Sequence, residues 1–381
     1  MPDHFIRLTT SIPMTKNAVC PFCYTEQMLE EGKKCPNDNC YSHLHDIPIP
    51  LEVFTHKLFP IAIVGASSSG KSHFLAALKH CLVNEGFWGE GNENGYWKWS
   101  FVEYFNPANK DNTDLDNPYI TYEENLYINH RTLDSTRRDD EHPPMLLSLE
   151  YLNPLQRMFN DPLVFKKSLL VAITDTAGEH VQGGSIGALD INYPVLQKMV
   201  KGAIVIVDPK EARGEGTVSV NSVLAWFKRG NEKSRIPIAF CMSKIDELAK
   251  GNETIPPDWL DERFNTNIDN IGQLFLPDIE NNSNAVYEWM MGRSFLKPTA
   301  EDLKNSFRYH AFFATTALGI DPFALDWNGK PKVDSSGGAF VLKNGSPKPL
   351  RVLDPLMWIL WQHGQLGGTD KIKNSVAGGT L

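Results

Sequence analysis

The chain has 381 residues, a formal net charge of −9, 41% hydrophobic and 22% charged side chains. That length buries a full core, as one large domain with a smaller one attached, while the acidic balance argues against a mainly electrostatic grip on nucleic acid, which needs clustered Lys and Arg. No apolar stretch approaches the ~20 residues of a membrane span, and the amino terminus lacks a charged head followed by a long apolar run, so a cytoplasmic location is expected.

Four of the six cysteines fall early, in "CPFCYTEQMLEEGKKCPNDNC" (20–40). Cys20 and Cys23 form a C-x2-C pair and Cys35 and Cys40 a C-x4-C pair. Tetrahedral Zn2+ wants four thiolate or imidazole ligands, and two tight turns that each present two cysteines meet that need in little chain. The metal would supply much of the stability of so short a segment. The stretch resembles a zinc ribbon, and residues 1–50 are read as a zinc-ribbon-like module. Its C-x4-C spacing is wider than usual and leaves His43 or His45 open as replacements for Cys40. A nucleic-acid contact through this module stays open, with protein docking or a structural role as the other outcomes.

From residue 51 onward, short apolar runs end in turns or in reactive polar residues. "LFPIAIVG" (58–65) ends at a glycine loop and "SLLVAITD" (168–175) at an aspartate; "GAIVIVD" (202–208), "IPIAFCMSK" (236–244) and "YHAFFATT" (309–316) follow. Helix-compatible stretches such as "SHFLAALKHCLVNEG" lie between them. This alternation predicts an α/β fold with a mostly parallel sheet covered by helices on both faces, ligands binding at the carboxyl ends of the strands. "MLLSLEYL" (145–152) reads as an edge strand antiparallel to 168–175. A long polar insert covers about 87–144, with an aromatic-rich start read as local packing, and a second insert of one or two helices covers about 248–306. The domain is placed at 51–363, with "NGKPKVDSSGG" (328–338) as a surface loop and 364–381 as a flexible tail.

Four strand ends carry the chemistry. Gly65 to Ser72 fits G-x-x-x-x-G-K-S, whose backbone wraps a phosphate at the start of a helix. Gly65, Ser68, Ser69, Gly70, Lys71, Ser72 and His73 form the expected phosphate-binding set, with Lys71 reaching the β- and γ-phosphates and Ser72 coordinating Mg2+. In "DTAGEH", Asp175 would hold the Mg2+ through a water and Gly178 would offer its amide to the γ-phosphate. In "SKID", Asp246 would accept from both N1–H and the 2-amino group of guanine, the stem of Lys244 would lie along the base, and Ser243 would brace the pocket. In "TTALG", the amide of Ala317, between Thr316 and Leu318, would donate to guanine O6.

In that order, these motifs resemble those of a Ras-like GTPase of the translation-factor-related class, over residues 58 to about 362. The dispersed bacterial double-GTPases are the nearest likeness, on "GAIVIVDP" and "RVLDPLMWILW" (351–361). The resemblance implies a regulatory switch that binds GTP or GDP and acts with effector or activating proteins, in a stress or defence system. A nucleotide-dependent dimer would also suit it.

Three departures follow. The position after Gly178 is Glu179, with His180 beside it, where the family places glutamine; a carboxylate accepts a proton from water but repels the γ-phosphate, so slow intrinsic hydrolysis is expected. Ser243 replaces the usual Asn or Thr, and its shorter reach predicts a weaker brace. The threonine that would complete the Mg2+ site is Thr136, with Thr132 second, and Arg131, Arg137 or Arg138 are candidates for an internal arginine finger. An ATP-dependent kinase or ATPase, or a GTP-binding scaffold that does not hydrolyse, are the alternatives.

Overall fold

The computed structural model describes residues 13–66, 69–83, 89–91, 95–104, 117–133, 142–152, 168–176, 195–208, 224–228, 236–249, 254–256, 259, 276–335, 339–344 and 347–365. A small antiparallel pair, β1 (Thr15–Val19) and β2 (Glu26–Glu30), is followed by the short helices α1 (Tyr41–Leu44) and α2 (Glu52–Thr55). The main sheet then begins with β3 (Lys57–Val64), which leads through the glycine loop into α3 (Lys71–Val83). Strands β4 (Gly89–Gly91), β5 (Gly95–Phe101), β6 (Met145–Leu152), β7 (Ser168–Asp175), β8 (Gly202–Val207), β9 (Ile238–Met242) and β10 (His310–Ala314) complete it. Helix α4 (Pro118–Glu123), extended by a wider turn over Glu124–Ile128, lies in the first insert.

The eight strands run in the order β10-β9-β8-β3-β7-β6-β5-β4. Pairings from β10 to β7 are parallel, and those from β7 to β4 are antiparallel. The α/β class and the mostly parallel sheet expected from the apolar runs are therefore present. One placement is corrected: 145–152 pairs antiparallel with β7, as expected, but is not an edge strand. The aromatic start of the insert, "GYWKWSF", continues the sheet beyond it as β5, because Tyr96 to Phe101 present a β-propensive edge that pairs residue for residue with Leu152 to Leu147. The second insert holds α7 (Leu276–Met291) and α8 (Lys297–Ser306), after the short α5 (Leu196–Met199) and α6 (Ile245–Ala249). Of the stretch 328–338, read as a plain surface loop, the described residues 328–335 lie in a hairpin-like excursion held by the bridges Leu325–Pro331 and Val333–Phe340.

Alternate residues of the central strands feed two cores, as a period of two requires. Ile61, Ile63, Val171, Ile173, Ile204 and Ile206 point toward α3 and the carboxyl-terminal helix α9 (Asp354–Gln362). The fit is close enough that a Cβ on Gly202 would stand 2.5 Å from Ile359 Cγ2. Ala62, Val64, Ala172, Ala203 and Val205 face the opposite side, where α7 and α8 pack.

The cysteine module is part of this second core and does not hang on an arm. Cys20, Cys35, Cys40, Phe22, Tyr24, Ile47 and Ile49 are buried with the sheet residues. Phe22 meets Tyr104 edge to face at 5.2 Å, and the buried Tyr24 hydroxyl is hydrogen-bonded to Thr174 Oγ1. On the other face, the first insert is fastened to α3. Lys79 is paired with Glu123, and His80 Nδ1 lies 2.8 Å from the same carboxylate while its ring stacks on Tyr127. Burial acts to raise the Glu123 carboxyl, but the bonds to His80 and Lys79 prevail and hold it below its ordinary value. Among the described residues, no helix is long and apolar enough to cross a membrane.

Candidate nucleotide and metal sites

Parallel register brings the reactive strand ends to one edge. Ile63 pairs with Asp175, Val64 with Val205, Val207 with Met242, and Ala314 with Met242. Gly65, Asp175, Asp208, Ser243 and Thr315 therefore leave their strands at the same edge of the sheet, in a line that rises from Asp175, level with Ile204, to Asp208, level with Ser243 and Thr315, across roughly 19 Å at the usual strand spacing. The chain continues from β3 to β7 on one side and places β8, β9 and β10 on the other, so a crevice opens above β3 where the strand order reverses.

The glycine loop is built tightly over that crevice. Gly65 has no room for a side chain, since a Cβ would meet the Ile206 carbonyl oxygen at 2.3 Å and Ser69 Oγ at 2.7 Å. Gly70 sits at φ +92, which admits the turn into α3. Lys71 is buried and donates from Nζ to the carbonyls of Gly65 (2.9 Å) and Ala66 (3.1 Å), folding back along the loop. Ser72 lies in the first turn of α3, and Ser68 is outside the described residues.

Asp175 ends β7 with its Oδ1 enclosed and without a hydrogen-bond partner among the described residues. Although the residue as a whole is partly exposed, burial of the carboxyl pushes it up to about 6, against the pull of Lys71. An enclosed carboxylate oxygen without a partner, beside the Ser72 turn, fits a hard cation or its water shell. Thr176 ties this strand end to β3, its amide and its hydroxyl both donating to the Ile63 carbonyl at 3.1 Å.

The "SKID" turn is locked to the glycine loop by Ser243. Its hydroxyl lies 2.7 Å from the Ser69 carbonyl and 3.2 Å from that of Val207, and its amide donates to Val207 at 2.9 Å. A short side chain is therefore long enough here to make the brace, through one hydroxyl that reaches the loop carbonyl. Lys244 has φ +51, and its Cε passes 3.7 Å from where a Cβ of Gly70 would stand. Asp246 is buried in the first turn of α6. Thr316 Oγ1 accepts from the Gly319 amide at 3.2 Å and its main chain pairs with Leu350, which shapes the turn carrying Ala317 and Leu318.

His73, assigned to the phosphate set by its place in the motif, has a different contact. Its Nε2 accepts the Leu133 amide at 3.1 Å, and burial, helped by the charge of Lys244, lowers the imidazole to about 4. It is neutral at physiological pH and joins α3 to the Arg131–Leu133 segment. Thr132, the second candidate for the metal-binding threonine, is turned away: its hydroxyl accepts the Phe340 amide at 2.9 Å, while its own amide donates to Phe340. Arg131 bonds Asn125 and approaches Asp334, so it is engaged away from the loop. Thr136, Arg137, Arg138, Gly178, Glu179 and His180 lie outside the described residues.

The cysteine cluster is closed. The Sγ atoms of Cys20, Cys23, Cys35 and Cys40 all lie within 4.8 Å of one another, with Cys20–Cys40 at 3.7 Å and Cys23–Cys35 at 3.9 Å. Four sulfurs placed ~2.3 Å from one tetrahedral ion stand about 3.8 Å apart. His43 is not among them; its Nδ1 contacts the Cys35 carbonyl at 2.9 Å, as an outer support for a ligand. His45 stacks on Tyr41.

No protein-family model and no curated protein matches the chain. Among solved structures, the GDP- and phosphate-bound Ski7 GTPase-like domain of S. cerevisiae is similar at 15% identity, over 69% of this chain and 44% of that one, with a TM-score of 0.28. A GDP-bound NFeoB mutant of S. thermophilus is similar at 12% identity, over 65% and 78%, with a TM-score of 0.23. The SRb-GTP/SRX signal recognition particle receptor complex of Chaetomium thermophilum gives 14%, 69%, 95% and 0.27. This chain thus spans under half of the Ski7 chain. The geometry of the strand ends, not these likenesses, bears the functional argument.

The Asp175 carboxyl supplies a pH test. Its pKa is raised on folding, so the unfolded chain loses this proton first, and stability falls as pH rises from about 4 through about 6. Asp175→Asn, which cannot ionise, is expected to be more stable than wild type at pH 7.5 without ligand, by up to about 3 kcal/mol, and so to melt at a higher temperature. The gap should close at pH 4, as read by thermal denaturation across that range.

Proposed function

We propose that the chain is a guanine-nucleotide-binding switch that hydrolyses GTP slowly on its own. The observation that carries this reading is the Ser243 hydroxyl on the Ser69 carbonyl, which makes the "SKID" turn and the phosphate loop one unit. A nucleotide whose phosphates lie in the loop then has its base beside Asp246. A buried carboxylate there is matched by a base edge with two adjacent donors, which guanine has and adenine lacks.

In this reading the loop amides and Lys71 hold the β- and γ-phosphates, and Ser72 and Asp175 hold Mg2+. The ion neutralises charge on the transferring phosphoryl group. Lys71 would exchange its main-chain acceptors for phosphate oxygens. Asp175, now at about 6 with an unpartnered oxygen, would be fully ionised against the cation. Glu179 and His180 would orient the attacking water, with Glu179 the reason for a low rate, and Thr136 would complete the metal site. Effector or activating proteins would read the nucleotide state, and a nucleotide-dependent dimer is one form of that response.

The cysteine cluster is proposed to hold one Zn2+ as a structural ion, since four thiolates, three of them buried, would fill a tetrahedral coordination sphere. Its ligand turn shares a core with β7, so the ion would stabilise the nucleotide edge as well as its own module.

Two experiments test these proposals. In a binding panel, wild type should prefer GDP over ADP and XDP, while Asp246→Asn should lose GDP affinity by at least about 100-fold and gain XDP; equal ADP binding by both proteins would identify an adenine-nucleotide enzyme instead. For the metal, elemental analysis should give one zinc per chain in wild type and much less in Cys35→Ser. That variant should melt at a lower temperature in a single transition; zinc-free wild type with unchanged melting would remove the metal assignment.

A further inference from the structure

Asp208 has no part in the four motifs, yet it occupies the middle of the site. It follows the last residue of β8, lies one strand from the phosphate loop and one from the base-reading turn, and is buried. Its Oδ2 is 3.0 Å from Lys244 Nζ. A buried carboxylate needs a cation or several donors to offset its desolvation, and here a cation reaches it from the neighbouring strand end.

The lysine backbone shows why this contact bears on ligand binding. Lys244 is a non-glycine residue at φ +51, a conformation that persists where the surroundings impose it. The Ser243 bonds hold the preceding residue against Val207 and Ser69. Ile245 donates to the Thr315 carbonyl on the other side. With its backbone so fixed, the side chain runs over Gly70 toward Asp208. The carboxylate thus sets where the four-carbon stem lies, across the space between the base-reading turn and the phosphate loop. A flexible lysine loses much rotamer freedom when it becomes one wall of a binding site. Here that cost is met within the protein, before any ligand arrives.

We infer that Asp208 is a positioning residue for nucleotide binding: it anchors the Lys244 ammonium so that the lysine stem forms a preformed shelf for the face of the guanine base. The inference rests on the guanine-nucleotide reading above. Asp208 touches no part of the nucleotide itself and acts through Lys244. The anchor is ionic and partly solvated on the lysine side, so its effect weakens with salt.

The test is a double-mutant cycle on the full chain with Asp208→Asn and Lys244→Met, read as GDP affinity and GDP release rate by stopped flow. In the wild-type background, Asp208→Asn should weaken GDP about tenfold, mainly through faster release. In the Lys244→Met background the same substitution should change affinity less than about twofold, because the group it positions is gone. Asp208→Glu, which keeps the carboxylate, should restore most of the affinity and serves as the informative variant if Asp208→Asn does not fold. An equal loss in both backgrounds, or no loss in either, would mean that Asp208 only supports the fold, and would overturn the inference while leaving the guanine pocket standing. Failure of wild type to bind GDP would remove the pocket itself, and the role of Asp208 with it.

Discussion

Parallel pairing of β3 with both β7 and β8 is the constraint on which the rest depends. A parallel ladder fixes register over its whole length, so the loops after β3, β7, β8, β9 and β10 cannot be displaced along the strands independently. Residues as distant in sequence as Gly65 and Thr316 therefore meet at one edge. Antiparallel β4, β5 and β6 extend the sheet away from that edge without altering the order of the five strands. The same register explains the short polar links across the site: Thr176 to Ile63 joins the adjacent ends of β7 and β3, and Ser243 to Ser69 reaches from the end of β9 past β8 to the loop after β3.

The cysteine module belongs to the same mechanical unit. Tyr24 stands between a metal-ligand candidate, Cys23, and Thr25 in the knuckle, and its hydroxyl meets Thr174, the residue before Asp175. The turn conformation at Tyr24, φ +57, is supported by main-chain bonds from the Tyr24 amide to the Cys20 carbonyl and from the Cys20 amide to the Thr25 carbonyl. Whatever holds the four sulfurs together thus holds one side of β7. On the opposite face of the sheet, the Lys79–Glu123–His80 cluster fastens the first insert to α3, and Leu133 on His73 carries that attachment to the first turn of the helix.

Much of this was legible in the residues. Continuous apolar runs such as "AIVIV" and "LLVAIT" read as strands buried on both faces, and each is one, followed by a polar residue at the carboxyl edge of the sheet. The C-x2-C and C-x4-C pairs announced a closed cluster. Edge strands were harder to read: "GYWKWSF" lies within a polar insert, and its role as β5 depends on pairing with β6, a contact between residues about 50 apart in sequence. The partner of the Ser243 hydroxyl, the Ser69 carbonyl, depends on how the turn after β9 sits against the loop after β3, a distance that no motif encodes. The contact of Asp208 with Lys244 is not encoded in the run that ends at Asp208, since only the lateral order of β8 and β9 brings the two together. His73 and Thr132 look like site residues by position, but their side chains are occupied by Leu133 and Phe340.

Wild-type affinity for guanine and adenine nucleotides, compared by calorimetric titration with GDP and ADP in the presence of Mg2+, tests the central claim most directly. A pocket in which a buried Asp246 is locked two strands from the phosphate loop predicts that GDP binds at one site per chain, at least about 100-fold tighter than ADP. Equal affinity for the two nucleotides, or preference for ADP, would contradict it.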